Sequence, residues 1–151
     1  MSLSADTREE IERLVGKFPE RRSALLPALK LAQRDAGWLP EEAIAEAADL
    51  VGVPPSAALE LARFYTMLHT EPVAPILVVV CAQLPCALRG AEGLFRDLHD
   101  AFKDSDQVEV ERTSECFGAC HRAPMVRVGD RYYENLDEGG RAALIEELRG
   151  A

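Results

Sequence analysis

Two pairs of cysteines are the feature that most constrains how this chain can fold. In "VVVCAQLPCALRG", Cys81 and Cys86 are separated by four residues, where an apolar run stops and a helical pattern begins. Cys116 and Cys120 follow in "ECFGACHRAP", after a further 29 residues. The spacing is therefore C-x4-C-x29-C-x3-C, which predicts two short loops that together form one site with four thiols.

The spacers within each pair indicate what the thiols hold. Structural zinc favours a two-residue spacer, which forms a tight knuckle around one tetrahedral ion. Spacers of four and three residues are looser and suit a 2Fe–2S cluster, because each iron takes two thiolates. We therefore predict one 2Fe–2S cluster, with these ligands: Cys81, Cys86, Cys116 and Cys120. A zinc site on the same thiols and a set of unrelated buried cysteines remain as alternatives.

Residues beside the cysteines support a cluster site. Cys81 ends an apolar strand, and Cys86 is expected just before a helix, whose N-terminal dipole would favour a thiolate. Gly118 allows the backbone to approach a cluster and to donate amide hydrogen bonds. Pro124 is expected to stiffen the exit of the loop. We expect His121 to be a solvated loop histidine, because four thiolates already complete the site.

Composition excludes several classes of function. The 151 residues include 17 Lys and Arg against 26 Asp and Glu, and the net charge of −9 argues against binding a nucleic-acid backbone. The longest apolar run, "APILVVVCA", is too short to span a bilayer. The N-terminal stretch has no apolar segment typical of a secretion signal, so we expect a cytoplasmic protein with reduced thiols. Neither G-x-G-x-x-G nor a Walker loop occurs, so we expect the chain to carry electrons for a partner that binds the nucleotide.

The first seventy residues have the periodicity of four amphipathic helices. The helices are predicted in "TREEIERLVGKF", "RSALLPALKLAQRDAG", "LPEEAIAEAADLVG" and "PPSAALELARFYTMLH". Thr7 and Glu10 fit a capping box, Ser23 is a candidate cap, and Gly37 and Gly52 are predicted stops. Short connections between such helices indicate a small bundle. The pattern changes near "TEPVAP", which predicts domains at residues 1–72 and 73–151.

The second part of the chain reads as strand, helix, strand, strand, strand, helix. "ILVVVC" is apolar throughout, as is typical of a strand covered on both faces. "GAEGLFRDLHDAFK" carries Leu94, Leu98 and Phe102 on one side of a helix. "QVEVER" alternates as a half-buried strand does, "MVRVGDRYYENL" has the pattern of a hairpin around Gly-Asp, and "DEGGRAALIEELRG" closes as a helix. This order predicts an α/β fold, with helices packed against a small sheet.

These motifs resemble a known family. "VCAQLPCALRGAEGL" followed by "ECFGACHRAPMVRVGDRYYENLD" is similar to the thioredoxin-like 2Fe–2S subunit of the NADH dehydrogenase module of respiratory complex I, the bovine 24 kDa type of subunit. "ARFYTMLHTEPV" is similar to the last helix of that family's N-terminal part and to its exit. The resemblance implies a small helical bundle followed by a thioredoxin-like 2Fe–2S ferredoxin domain, with all four cysteines as cluster ligands.

The same resemblance implies a function. The chain would be a non-catalytic electron-carrier subunit of NADH:quinone oxidoreductase, in the peripheral arm of a membrane-associated complex and without membrane insertion of its own. Its cluster would exchange one electron with the FMN of a neighbouring flavoprotein subunit, which also binds NADH. Equivalent subunits occur in NAD-linked hydrogenases and formate dehydrogenases, although "YENL" favours complex I. A zinc-stabilised interaction module is the alternative from a different class.

Overall fold

The computed structural model describes residues 2–150 of the chain. They divide into two compact units, with the break between Val73 and Ala74. Each unit has a hydrophobic core of its own, built from helices in the first and from a sheet and its helices in the second. Over the described residues, no helix is both long and apolar enough to cross a membrane.

The first unit contains the four predicted helices. Their bounds are α1 Ala5–Val15, α2 Leu25–Ala36, α3 Glu41–Val51 and α4 Pro55–Phe64, with a 3-10 turn at Arg21–Ala24 before α2. Alanines supply much of the buried surface between α2, α3 and α4, which lets these helices approach closely. The fully buried alanines in these three helices are Ala28, Ala32, Ala43, Ala47, Ala48, Ala58 and Ala62.

Two predicted helix caps are wrong, and two predicted stops are confirmed. Helix α1 begins earlier than expected because Ser4 is its cap: the Ser4 Oγ accepts a hydrogen bond from the Thr7 backbone N–H at 3.3 Å. Ser23 lies inside the 3-10 turn, and α2 begins without a side-chain cap. Gly37 and Gly52 end α2 and α3 with φ of 83° and 80°, a backbone region that favours glycine.

The second unit is a four-stranded mixed sheet with helices. Its elements are β1 Ile76–Cys81, α5 Leu84–Leu88, α6 Ala91–Phe102, β2 Val108–Thr113, β3 Val126–Val128, β4 Arg131–Tyr133 and α7 Glu138–Arg149. The strand order is β2-β1-β3-β4. Strands β1 and β2 are parallel, while β3 runs antiparallel to both β1 and β4. The α/β prediction is confirmed.

The predicted pattern of buried residues explains how the sheet is covered. Leu94, Leu98 and Phe102 are buried along one side of α6, as their four-residue spacing predicts. Helix α6 contacts β1 and β2, and it also contacts α7, which buries Leu144 and Leu148 in the same core. Because α6 connects two parallel strands, the ends of β1 and β2 lie side by side at one edge of the sheet.

Candidate metal centre

Cys81 is the last residue of β1 and has a well-defined position. The residue is 1% exposed and is opposite Thr113, the last residue of β2. On the other side, the Cys81 backbone N–H donates to the Met125 carbonyl at 3.3 Å. The backbone at this thiol is held by β2 on one side and by the residue before β3 on the other, as the sequence predicts for a ligand at a strand end.

Cys86 differs from its prediction in one respect. It lies inside α5 as the third residue of this five-residue helix, and not before a helix, since the longer helix α6 begins only at Ala91. So short a helix has little dipole to offer. The position of Cys86 is fixed by burial instead, because it is 1% exposed and packs in the core.

Burial also affects the protonation of Cys86. Desolvation is the largest cause that raises the pKa of Cys86 to about 11, and the adjacent Cys81 thiol is the next. The metal-free chain therefore keeps the Cys86 thiol protonated at neutral pH, and metal binding there has to release the proton.

The second pair is exposed and has the spacing of two ligands on one metal ion. The Sγ atoms of Cys116 and Cys120 are 3.7 Å apart. Two thiolates bound to one tetrahedral ion at about 2.3 Å lie about 3.8 Å from each other. Gly118, with φ of 79°, donates its backbone N–H to the Cys116 Sγ at 3.3 Å, which agrees with the role predicted for it.

The fold brings the two pairs near each other. The Cys81 Sγ is 3.8 Å from the Glu115 carbonyl oxygen, next to Cys116. The nearby Cys81 charge is among the causes that raise the pKa of Cys120, after the Cys116 thiol and desolvation. Within residues 2–150, no three His, Cys, Asp or Glu side chains are close enough to share one metal ion. Within each pair the thiols interact with each other, Cys81 with Cys86 and Cys116 with Cys120, an arrangement that fits a cluster with two irons.

The other residues singled out in the sequence lie around this site. His121 is exposed, and its Nε2 accepts a hydrogen bond from the Arg122 Nε at 3.2 Å. The Arg122 guanidinium also pairs with Glu134 at 2.6 Å. These contacts agree with a histidine outside the ligand set. Pro124 follows Ala123 through a cis peptide bond, at the exit of the second cysteine loop.

The hydrogen bonds around the two cysteine loops were not predicted from the sequence. The Gln83 Nε2 donates to the Ser114 carbonyl, and the Thr113 Oγ1 accepts from the Glu115 backbone N–H at 3.0 Å. The sequence shows only that a carboxamide side chain, Gln83, lies between the first two cysteines and that a hydroxyl side chain, Thr113, precedes the second two. Neither pattern says what the side chain contacts.

A small α/β unit with two converging cysteine pairs has the architecture of an iron–sulfur protein. The model of the thioredoxin-like [2Fe-2S] ferredoxin family matches residues 11–149, so the chain belongs to that family. The resemblance seen in the cysteine motifs is thereby confirmed.

Named relatives of the chain are subunits of NADH-quinone oxidoreductases and a mitochondrial NADH dehydrogenase flavoprotein. The chain is 40% identical over 150 residues to an E-type subunit of the NADH-quinone oxidoreductase of Rhizobium meliloti (strain 1021), covering 95% of this chain and 89% of that protein. It is 39% identical over 147 residues to the E-type subunit of the same enzyme in Rickettsia bellii (strain RML369-C), covering 91% and 88%. The mitochondrial NADH dehydrogenase [ubiquinone] flavoprotein 2 of Dictyostelium discoideum is 33% identical over 153 residues, covering 93% of this chain and 60% of that protein.

Solved structures show the same fold within a larger chain. An NAD+-reducing [NiFe]-hydrogenase in the H2-reduced state superposes with a TM-score of 0.71 and 26% identity. The match covers 83% of this chain and 22% of the hydrogenase chain, so this protein spans less than a quarter of that chain.

Proposed function

We propose that this chain is the electron-transfer subunit of an NADH:quinone oxidoreductase and holds one 2Fe–2S cluster. The ligands would be Cys81 and Cys86 on one iron, and Cys116 and Cys120 on the other. The observation that carries this proposal is the pairwise arrangement of the thiols, with 3.7 Å between the two exposed sulfurs. Family membership and the names of the relatives support the same function.

The chain's own residues would give the two ends of the site different surroundings. When bound, a 2Fe–2S cluster accepts and releases one electron. Cys81 and Cys86 are buried, so they keep water from the inner end of the site. Cys116 and Cys120 are exposed, which leaves the outer end open to a redox partner. The Gly118 N–H favours extra negative charge on the Cys116 sulfur and so stabilises the reduced form.

A flavoprotein subunit that binds FMN and NADH is the proposed partner. The sequence has no glycine-rich nucleotide motif of its own, and the relatives carry the names of NADH dehydrogenase subunits. We also propose that residues 1–72 and 73–151 act as a helical domain and a ferredoxin domain, and that the subunit works in the peripheral arm of the complex. The break between Val73 and Ala74 supports the division.

An equivalent subunit of an NAD-linked hydrogenase is the second candidate. It is supported by the structural match to an NAD+-reducing hydrogenase at 26% identity. Identities of 40% and 39% to quinone oxidoreductase subunits, over nearly their whole lengths, favour the first candidate. Copurification separates the two, because the native complex would contain either quinone reductase or hydrogenase subunits.

The cluster is tested on the full chain purified without oxygen. We expect two irons and two acid-labile sulfides per chain, a brown colour, and an EPR signal that appears on reduction. Cys116→Ala in the same preparation should lose the signal. Stoichiometric zinc without iron would refute the proposal and favour the zinc-stabilised module.

A further inference from the structure

The ends of β1 and β2 carry the two halves of the thiol site, and they separate just beyond the sheet. The parallel pairing ends with Cys81 opposite Thr113, and one further bond follows, from the Ala82 N–H to the Thr113 carbonyl at 2.9 Å. After that bond the first segment turns into α5, and the second continues to Cys116. Backbone pairing therefore does not extend to the loops themselves.

The contacts between the loops beyond this point include two that involve side chains. One joins the Cys81 Sγ to the Glu115 carbonyl at 3.8 Å, and the other joins the Gln83 carboxamide to the Ser114 carbonyl. The first uses the sulfur of Cys81, which is itself a proposed ligand. The second involves no sulfur, so metal binding does not remove it. Gln83 thus provides a side-chain bond between the loops that does not depend on a ligand sulfur.

We propose that Gln83 is a positioning residue that fixes the separation of the two thiol pairs for a binuclear cluster. This inference rests on the proposed function, since the cluster is the group that both loops would hold. The backbone of Gln83 has a separate role, because its carbonyl accepts from the Ala87 N–H at 2.8 Å at the start of α5. Replacing the side chain therefore leaves the backbone bond of that helix in place.

The test compares cluster release from full-length variants. Gln83→Met keeps the length of the side chain and removes the donor. Gln83→Glu keeps the shape and turns a carboxylate toward the Ser114 carbonyl. The matched control is Gln33→Met in the helical unit, because the Gln33 Nε2 donates to the Met67 carbonyl at 3.0 Å in the same kind of bond. Each protein is loaded with iron and sulfide without oxygen, and iron transfer to a coloured chelator is followed.

We expect iron release about fivefold faster from Gln83→Met, which is the equivalent of one neutral hydrogen bond, and faster still from Gln83→Glu. The EPR lines of the reduced Gln83 variants should broaden, because the loops then sample a range of separations. Gln33→Met should unfold more easily but keep the wild-type release rate and EPR line widths. If iron leaves both Gln83 variants at the same rate as it leaves Gln33→Met, this proposal alone is overturned. If the wild-type chain takes up no iron, the proposed function is overturned as well.

Discussion

Gly118→Ala tests whether the glycine between the exposed cysteines controls the cluster. Gly118 has φ of 79°, and an added Cβ would meet no atom within 4 Å. The cost is therefore one of backbone conformation and not of collision, about 1–2 kcal/mol for a residue with a side chain. If the loop relaxes to a negative φ, the Gly118 N–H turns away from the Cys116 Sγ. We expect the cluster to be bound about 5- to 30-fold less tightly.

The same change should lower the reduction potential. An N–H···S bond stabilises the reduced, more negative cluster, so its loss favours the oxidised form. If the bond is stronger by about 0.5–1 kcal/mol in the reduced state, the potential falls by about 20–40 mV for one electron. Redox titration followed by EPR measures this shift, and chelator competition measures the affinity.

Gly129→Ala is the matched control for this experiment. Gly129 also has positive φ, 57°, and also has open space where a Cβ would be added, but it lies in the turn between β3 and β4. Gly129→Ala should lower the stability of the fold by a similar amount, without shifting the reduction potential of the cluster. Gly118→Asn should recover part of the affinity, because Asn tolerates this backbone region better than Ala. Equal potentials in Gly118→Ala and Gly129→Ala would refute the reasoning.

Three further predictions concern the ligands, the core and the sheet. Cys86→Ala should abolish the visible absorbance of the loaded protein, whereas His121→Ala should keep it. Loss of colour in His121→Ala would mean that the ligands are assigned wrongly. In chemical denaturation, Leu98→Ala should cost about 2–5 kcal/mol, because Leu98 is fully buried, whereas Leu88→Ala, at a site 78% exposed, should stay within about 0.5 kcal/mol. Burial is the largest cause that raises the pKa of Glu111, and the nearby Glu109 carboxylate is the next. Glu111→Gln should therefore raise the melting temperature at pH 7. A gain in melting temperature that persists below about pH 4 would contradict this.

The sign of that pH dependence follows from proton binding. Between the ordinary carboxyl pKa of about 4.3 and the raised pKa of Glu111, the folded chain binds more protons than the unfolded chain. Stability from this group is therefore fully present at low pH and is lost as pH rises through the folded pKa. At neutral pH the ionised carboxylate is a net cost, which the glutamine removes.

Local patterns in the sequence are sufficient where a short stretch decides the structure. The apolar run "ILVVVC" becomes β1 with its last four residues buried, because β-branched residues without charge suit a covered strand. Gly37 and Gly52 end helices, since few other residues adopt their positive φ. The spacing of the cysteines also predicts two thiol pairs, because residues so few positions apart stay close in any compact loop.

Contacts between distant residues decide the rest. Ser4 is held at the start of α1 by Asp35, thirty-one positions later, which accepts from both its backbone N–H and its hydroxyl, and a local capping-box pattern contains no information on such a distant partner. Cys86 is buried because α5 packs it into the core, although the helix dipole was the expected cause. The bond from Gln83 to Ser114 exists only because β1 and β2 are neighbours in the sheet. Sequence alone therefore determined which thiols lie close along the chain, and tertiary structure determined how the pairs are joined, because the joining groups follow two strands that are separated by the whole of α6.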